Sequence, residues 1–305
     1  MRIVTFIPAC CLAAATACAS NPAARRATLI ADADRNAREA IAAEQQLDVA
    51  KIPPRSLAVL PFTVSQHDTL LTPLGFGLAE LLSTDLAVSQ RLTLVDRLRI
   101  GAVLRELKLV DEGVVDPRGA PRTGRIIGAR RLLIGSIAAG PANTVRLQAR
   151  ILDVVSGTVE DTVTAEAPLS RIIDAEKSLA LLLYERLGVT LTPAQRVAVE
   201  RRQTTQLAAL VAFGRGAEAD TRGDAIGATA AFAEAARLDA SFSAARAHAA
   251  SPSTVASRES GVRRVLSLTS EALNQPAGAK ISEAADAALS SSLSVPVVVT
   301  VRVVP

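Results

Sequence analysis

The chain is 305 residues long and 49% hydrophobic, with much of that share carried by alanine; aromatic residues make up 2%, with no Trp and one Tyr. Formal net charge is +4, from 34 Lys and Arg against 30 Asp and Glu spread along the chain. That length suits one large domain or two smaller ones, and a mixed-sign surface without aromatic platforms excludes a nucleic-acid-binding groove.

Residues 1–17 are read as a signal peptide. MRIVTFIPACCLAAATA has one Arg and then an apolar run, shorter than the about 20 residues a spanning helix needs. All the cysteines of the chain lie in this stretch or just after it: Cys10, Cys11 and Cys18. Ala15-Thr16-Ala17-Cys18 resembles a bacterial lipobox, with small residues just before the cysteine and Ala15 where Leu is usual. The resemblance implies lipidation at Cys18 as the first residue of the mature chain. No free thiol then remains, which removes disulfides, thiolate catalysis and cysteine metal sites together. Ala19 and Ser20 follow in place of an acidic residue, which implies the periplasmic face of the outer membrane.

Residues 18–55 read as a lipidated tether or a lead-in helix, Ala-rich and charged, ended by Pro53-Pro54. A packed domain is expected over 56–190. SLAVLPF is a short apolar run bounded by prolines, as in a buried strand. Thr72-Pro73 marks a helix start, and that helix carries Leu78, Leu81, Leu82 and Leu86 on one face, with Glu80, Thr84 and Asp85 mainly elsewhere. RLTLV gives a second strand. Asp96 caps a helix with Ile100, Val103, Leu104 and Leu107 at helical spacing. VDEGVVDPRGAPRTG reads as a loop, followed by a helical turn over 125–129. LLIGSI, TVRLQARI and SGTVEDTVTA give three consecutive strands. Ser170 caps a helix with Ile172, Ile173, Glu176, Leu179, Ala180, Leu183 and Leu187 at helical spacing, and Gly188 closes it.

Thr192-Pro193 opens a helical region over 191–250. FGRGAEADTRGDAIGATAAFAEAARLDASFSAA resembles a tetratricopeptide repeat through Gly216, the turn Arg222-Gly223-Asp224, and the Ala228, Phe232 and Ala235 spacing, with Ala240 where Pro is usual. One repeat cannot bury its own face, so it is expected to pack on a preceding helix near 207–212 or a following one at 262–273. Residues 251–305 read as a helical and Ser-rich tail ending in the β-prone VPVVVTVRVVP, suited to a sheet edge.

Taken in order, LAVLPF, GLAELLSTDLAVSQRLTLVDRLRIGAVLRELKL, TGRIIGARRLLIGSI and VRLQARILDVVSGTV resemble the CsgG/HfaB family, over about 55–190. These are curli-type production and transport lipoproteins, related to activator lipoproteins of peptidoglycan synthases and to the amino-terminal domain of TolB. The resemblance implies a mixed sheet layered with helices, an α+β to α/β core, here followed by an α-helical repeat-like region. Pore-forming members insert long membrane hairpins into this core. A membrane hairpin needs two strands of about 9–11 residues with aromatic girdles. LLIGSI and TVRLQARI are joined by a short connection, and no aromatic lies between Phe76 and Tyr184. The alternation over 145–151 is therefore expected to pack on helices by one face, with Arg146, Gln148 and Arg150 on the other.

Catalytic and cofactor patterns are missing. His67 and His248 stand in different segments with no zinc spacing. GRGAEA at 214–219 matches a Gly-x-Gly-x-x-Ala nucleotide fingerprint in letters alone, since it lies inside a helical run and not after a strand. Ser136 and Ser156 have no acid and His nearby in sequence and no nucleophile elbow. Asp153, Glu160 and Asp161 are expected to be solvated or paired with Arg150, and Arg130-Arg131 to protect a strand edge. The sequence thus reads as a non-enzymatic envelope lipoprotein without catalytic residues, metal or cofactor. Its expected partners are envelope proteins and the membrane, through a lipid at Cys18, with a homo-oligomer possible and nucleic acid excluded. The alternative is a subunit of an oligomeric curli-type secretion channel.

Overall fold

In the computed structural model, which describes residues 21–64, 71–110 and 119–250, a six-stranded mixed sheet forms the centre. Its strands are β1 (Ser56–Val59), β2 (Thr63–Val64), β3 (Thr93–Leu94), β4 (Arg131–Ala139), β5 (Thr144–Asp153) and β6 (Val159–Pro168), in the order β3-β1-β4-β5-β6, with β2 also on β4. β1 runs parallel to β3 and β4, while β4, β5 and β6 form an antiparallel meander. Pro61 explains the break between β1 and β2. The ladder continues to Leu60, which donates to the Leu133 carbonyl at 3.0 Å. Pro61 has no N–H to offer, and the chain rejoins β4 farther along, opposite Ser136 and Ile137.

One sheet face carries α2 (Leu71–Leu86) and α5 (Ile172–Arg186), and the other carries α3 (Arg97–Glu106) and α4 (Ala120–Ile127). Asp96 caps α3 through the backbone N–H groups of Leu98 and Arg99, as its sequence position predicts. α4 begins inside the stretch read as a loop; its first turns use Pro121 near the N-terminus, where a missing N–H costs nothing. Ser170 does not cap α5. A 3-10 turn over Leu169–Arg171 precedes that helix, and Arg171 takes the cap position without a side-chain bond. Gly188 does close it, at φ 65°.

Residues after 190 form α6 (Pro193–Glu200), α7 (Leu207–Arg222), α8 (Ala225–Leu238) and α9 (Ser243–Ala250). α6 starts with a full capping box between Thr192 and Gln195. The stretch 207–212, expected as a separate supporting helix, is the first part of α7 itself. α7 packs on α2, from the layered core, while α8 is covered by α9 and by α1 (Pro22–Ala42). The sequence at 262–273 lies outside the described residues, as do 1–20 and the β-prone end.

α2 is consequently enclosed. Fourteen of its 16 residues are buried, Glu80 and Asp85 among them, as a helix with neighbours on all sides must be. Its approach to α7 is set by glycine: a Cβ on Gly214 would stand 2.0 Å from the Pro73 carbonyl oxygen, and one on Gly77 would stand 3.0 Å from the Gly214 Cα. The Gly-x-Gly of 214–216 is thus a packing device and no phosphate cradle; a Cβ on Gly216 would meet the Phe232 ring at 2.7 Å.

The amino-terminal stretch resolves as its helical alternative. α1 (Pro22–Ala42) is capped by the Asn21 side chain, which accepts from the Ala23 N–H, and lies against α3 and α8. Arg26, Ile30 and Ala37 are its buried residues.

Candidate functional site

β4 and β5 are joined by residues 140–143, where Ala142 and Asn143 adopt φ of 53° and 58°. Both strands are used up within the sheet over the whole register from Arg131↔Asp153 to Ala139↔Val145. On β5, Val145, Leu147, Ala149 and Ile151 are buried in the core shared with α2 and α5. On the reverse face, Leu132, Ile134 and Leu152 lie under the core built with α3 and α4.

Beyond that cover the reverse face is open and polar. Ser136, Gln148 and Thr164 form one rung across β4, β5 and β6, and Ala138, Arg146 and Glu166 form the next. Arg146 pairs with Glu166 at 2.5 Å, with both side chains exposed; Arg150 stands half-buried beside Thr162. Arg146, Gln148 and Arg150 thus occupy the face their alternation predicts. The carboxylates expected near Arg150 choose other partners. Asp153 takes Arg130 at 3.0 Å, Glu160 takes Arg131 at 2.6 Å and Asp161 takes Arg186 at 3.3 Å. Asp153 also accepts from the Val155 and Ser156 N–H groups in the β5–β6 turn. Burial pushes its carboxyl up, but these bonds and Arg130 outweigh it and hold the group below the usual carboxylate range.

Two clusters of buried charge lie under the helices. At the start of α1, Arg26 is 1% exposed. Its guanidinium donates to Asp220 of α7, to the His248 carbonyl of α9 and, at 3.2 Å, to Thr229 of α8, and it sits 5.0 Å from the Phe232 ring centroid. The His248 ring stacks on Phe232 at 4.7 Å, and its Nε2 lies 3.4 Å from Glu80, which also pairs with Arg97 at 3.1 Å. Burial raises the Glu80 carboxyl; His248 and the cations Arg97 and Arg26 more than reverse it and keep it ionised below its ordinary value. For Asp220 burial wins over Arg26, and its carboxyl is raised.

The second cluster joins α2 to α5. Lys177 donates to Asp85 at 2.5 Å and meets Glu176 at 3.1 Å. Burial pushes the Glu176 carboxyl well up, with the charge of Asp85 adding to it. The lone Tyr, Tyr184, closes the end of α2 by donating to the Asp85 and Leu86 carbonyls at 2.7 and 2.9 Å and accepting from the Ser89 N–H. Burial raises its hydroxyl to about 12. These acids, bases and hydroxyls hold helix to helix. A cleft of about 200 Å³ between the start of α5 and the α6–α7 connection is lined by Ile173, Thr204 and Leu210 among others, and reaches neither cluster. Among the described residues no group of three or more His, Cys, Asp or Glu is placed to hold a metal ion, and no helix is long and apolar enough to cross a membrane. Cys18, Cys10, Cys11 and His67 lie outside the described residues.

The arrangement is a layered α/β body with enclosed charge clusters, one open polar sheet face and a helix pair built onto its central helix. Residues 59–147 match the family model described as curli production assembly/transport component CsgG, so the core of the chain is CsgG-like. The match runs from β1 into β5; β6, α5 and the later helices lie beyond it. No curated protein matches the chain. Among solved structures, the LpoB C-terminal domain from Salmonella enterica is similar at 20% identity, over 45% of this chain and 98% of that one, with a TM-score of 0.32. Lipoprotein GNA1162 from Neisseria meningitidis is similar at 18% identity, over 38% and 81%, with a TM-score of 0.32. LpoB from Escherichia coli gives 16% identity over 54% and 79%, with a TM-score of 0.30.

Proposed function

We propose that this protein is a non-enzymatic envelope lipoprotein, anchored by Cys18 at the periplasmic face of the outer membrane. It binds envelope proteins through the open face of β4, β5 and β6 and assists the assembly, secretion or regulation of an envelope machine. The observation that carries this reading is the four-residue β4–β5 connection within a CsgG-like core. The two strands it joins are consumed in a sheet covered by α2 and α5, so this hairpin has no segment left to line a pore. The enclosure of the ionisable clusters by packed helices supports a binding role over catalysis. A lipid anchor adds to this by raising the protein's effective concentration beside membrane-bound partners.

Replacing Cys18 with Ser is expected to abolish incorporation of labelled fatty acid and move the protein to the soluble fraction; unchanged membrane attachment would remove the anchor from the reading. The lipidated protein, reconstituted into vesicles, is expected to retain an entrapped dye. Leakage would establish the channel alternative suggested by the family's transport description.

A further inference from the structure

We infer that the anchor is a short leash that seats the body directly on the bilayer, with the first turn of α1 and the end of α9 as the lipid-contacting face. The inference rests on lipidation at Cys18 and goes beyond it, because an anchor alone leaves the height and orientation of the body unspecified.

Three residues, Ala19, Ser20 and Asn21, separate Cys18 from the start of α1 at Pro22. Four Cα steps at full extension reach about 14 Å. The leash cannot lengthen readily by unwinding the helix. Asn21 caps it, and four residues into it Arg26 is held by Asp220, the His248 carbonyl and Thr229, beneath the Phe232 ring. Withdrawing Arg26 would leave Asp220 buried without its cation, which is strongly destabilising. Even a fully unwound first turn would end at Arg26, about 29 Å from Cys18.

The same contacts define what faces the lipid. Arg26 binding to the His248 carbonyl brings the end of α9 beside the start of α1. Around this junction Asn21, Pro22, Ala24, Arg25, Arg246 and Ala250 are exposed. Arg25 and Arg246 have no ion-pair partner among the described residues, which suits a surface of anionic phospholipid headgroups. The opposite end of α1 lies about 31 Å away along a 21-residue helix. There Glu44 pairs with Arg122 of α4 at 2.7 Å, and the β5–β6 turn abuts Pro121. Val155 in that turn is 51% exposed and marks the end away from the bilayer.

The test uses the full-length lipidated chain in vesicles of phosphatidylethanolamine and phosphatidylglycerol. Once the leader is removed and Cys18 is acylated, a cysteine introduced as Ala24→Cys or Val155→Cys is the only thiol and takes an environment-sensitive fluorophore. Headgroup nitroxide lipids then report contact. Strong quenching is expected at position 24 and little at 155. Inserting 20 Gly/Ser residues between Ser20 and Asn21, with a root-mean-square span of about 25 Å, is expected to cut quenching at 24 at least twofold. Equal quenching at the two positions, or quenching at 24 that ignores the insertion, overturns the inference while mass spectrometry still finds the acyl chains. Absence of those chains overturns the anchor reading itself.

Discussion

Arg26, Glu80, Asp85 and Asp220 are the residues whose roles were least legible in the sequence, whereas Glu176 falls in the apolar period of its helix. Each is charged, and a periodicity argument assigns charge to the outside. They are buried because cations and anions from different helices meet, and those partners stand far apart in the chain: Arg26 and Asp220 are 194 residues apart, and Asp85 and Lys177 are 92 apart. Glu176 carries a consequence for stability. Burial raises its folded-state value above the about 4.3 of an unfolded Glu. The folded protein then binds the proton more tightly, so this group's contribution to stability falls as pH climbs from about 4.3 through the folded value. Glu176→Gln removes that dependence, and Lys177 keeps Asp85 as its partner. In urea titrations the variant is expected to gain on the wild type as pH rises above about 4.3. A gap that stays constant with pH would show that Glu176 does not hold its proton in the fold.

At the scale of elements the sequence carries more of the structure. The three-strand meander, the face bearing Arg146, Gln148 and Arg150, the Asp96 cap and the Thr192-Pro193 start all follow from alternation and capping residues, which are local signals. The start of α4 was missed because Pro121 and Gly119 look like loop residues, and only packing of Ile126 and Ile127 on the sheet makes eight residues there helical. The packing of α7 was not legible among its sequence neighbours: it lies on α2, more than a hundred residues earlier, while the following helix α9 packs on α8. The available signal was one glycine on each helix, Gly77 on α2 and Gly214 on α7, which permit the two backbones to close. Gly214→Ala would force the Pro73 carbonyl away and is expected to cost about 1–3 kcal/mol. For a fold of this size that lowers the thermal midpoint by about 2–4 °C per kcal/mol. An unchanged midpoint by circular dichroism would show that α2 and α7 do not touch there.

On the scale of the whole molecule, the family match and the folded body have different extents. The match stops within β5 at residue 147, whereas the buried core runs without interruption through Phe213, Phe232 and Phe242 to Ala245. The added helices have become structural for the CsgG-like part. Glu80 faces His248, and the outer side of α2 faces α7. Arg105 of α3 donates to the Asp220 and Thr221 carbonyls at the end of α7. A chain of residues 21–190 would keep every strand yet expose an apolar strip of α2 that includes Gly77, and it would leave Arg26 without Asp220. Such a strip favours association. This fragment is expected to elute as aggregates or to lose dispersed amide signals in two-dimensional NMR, while residues 21–250 give one monodisperse species with dispersed signals. If the shorter chain alone gave a folded monomer, the helices after 190 would be a separate attachment, and the buried bridge from Arg26 through Asp220 to α9 would hold together nothing that the sheet needs.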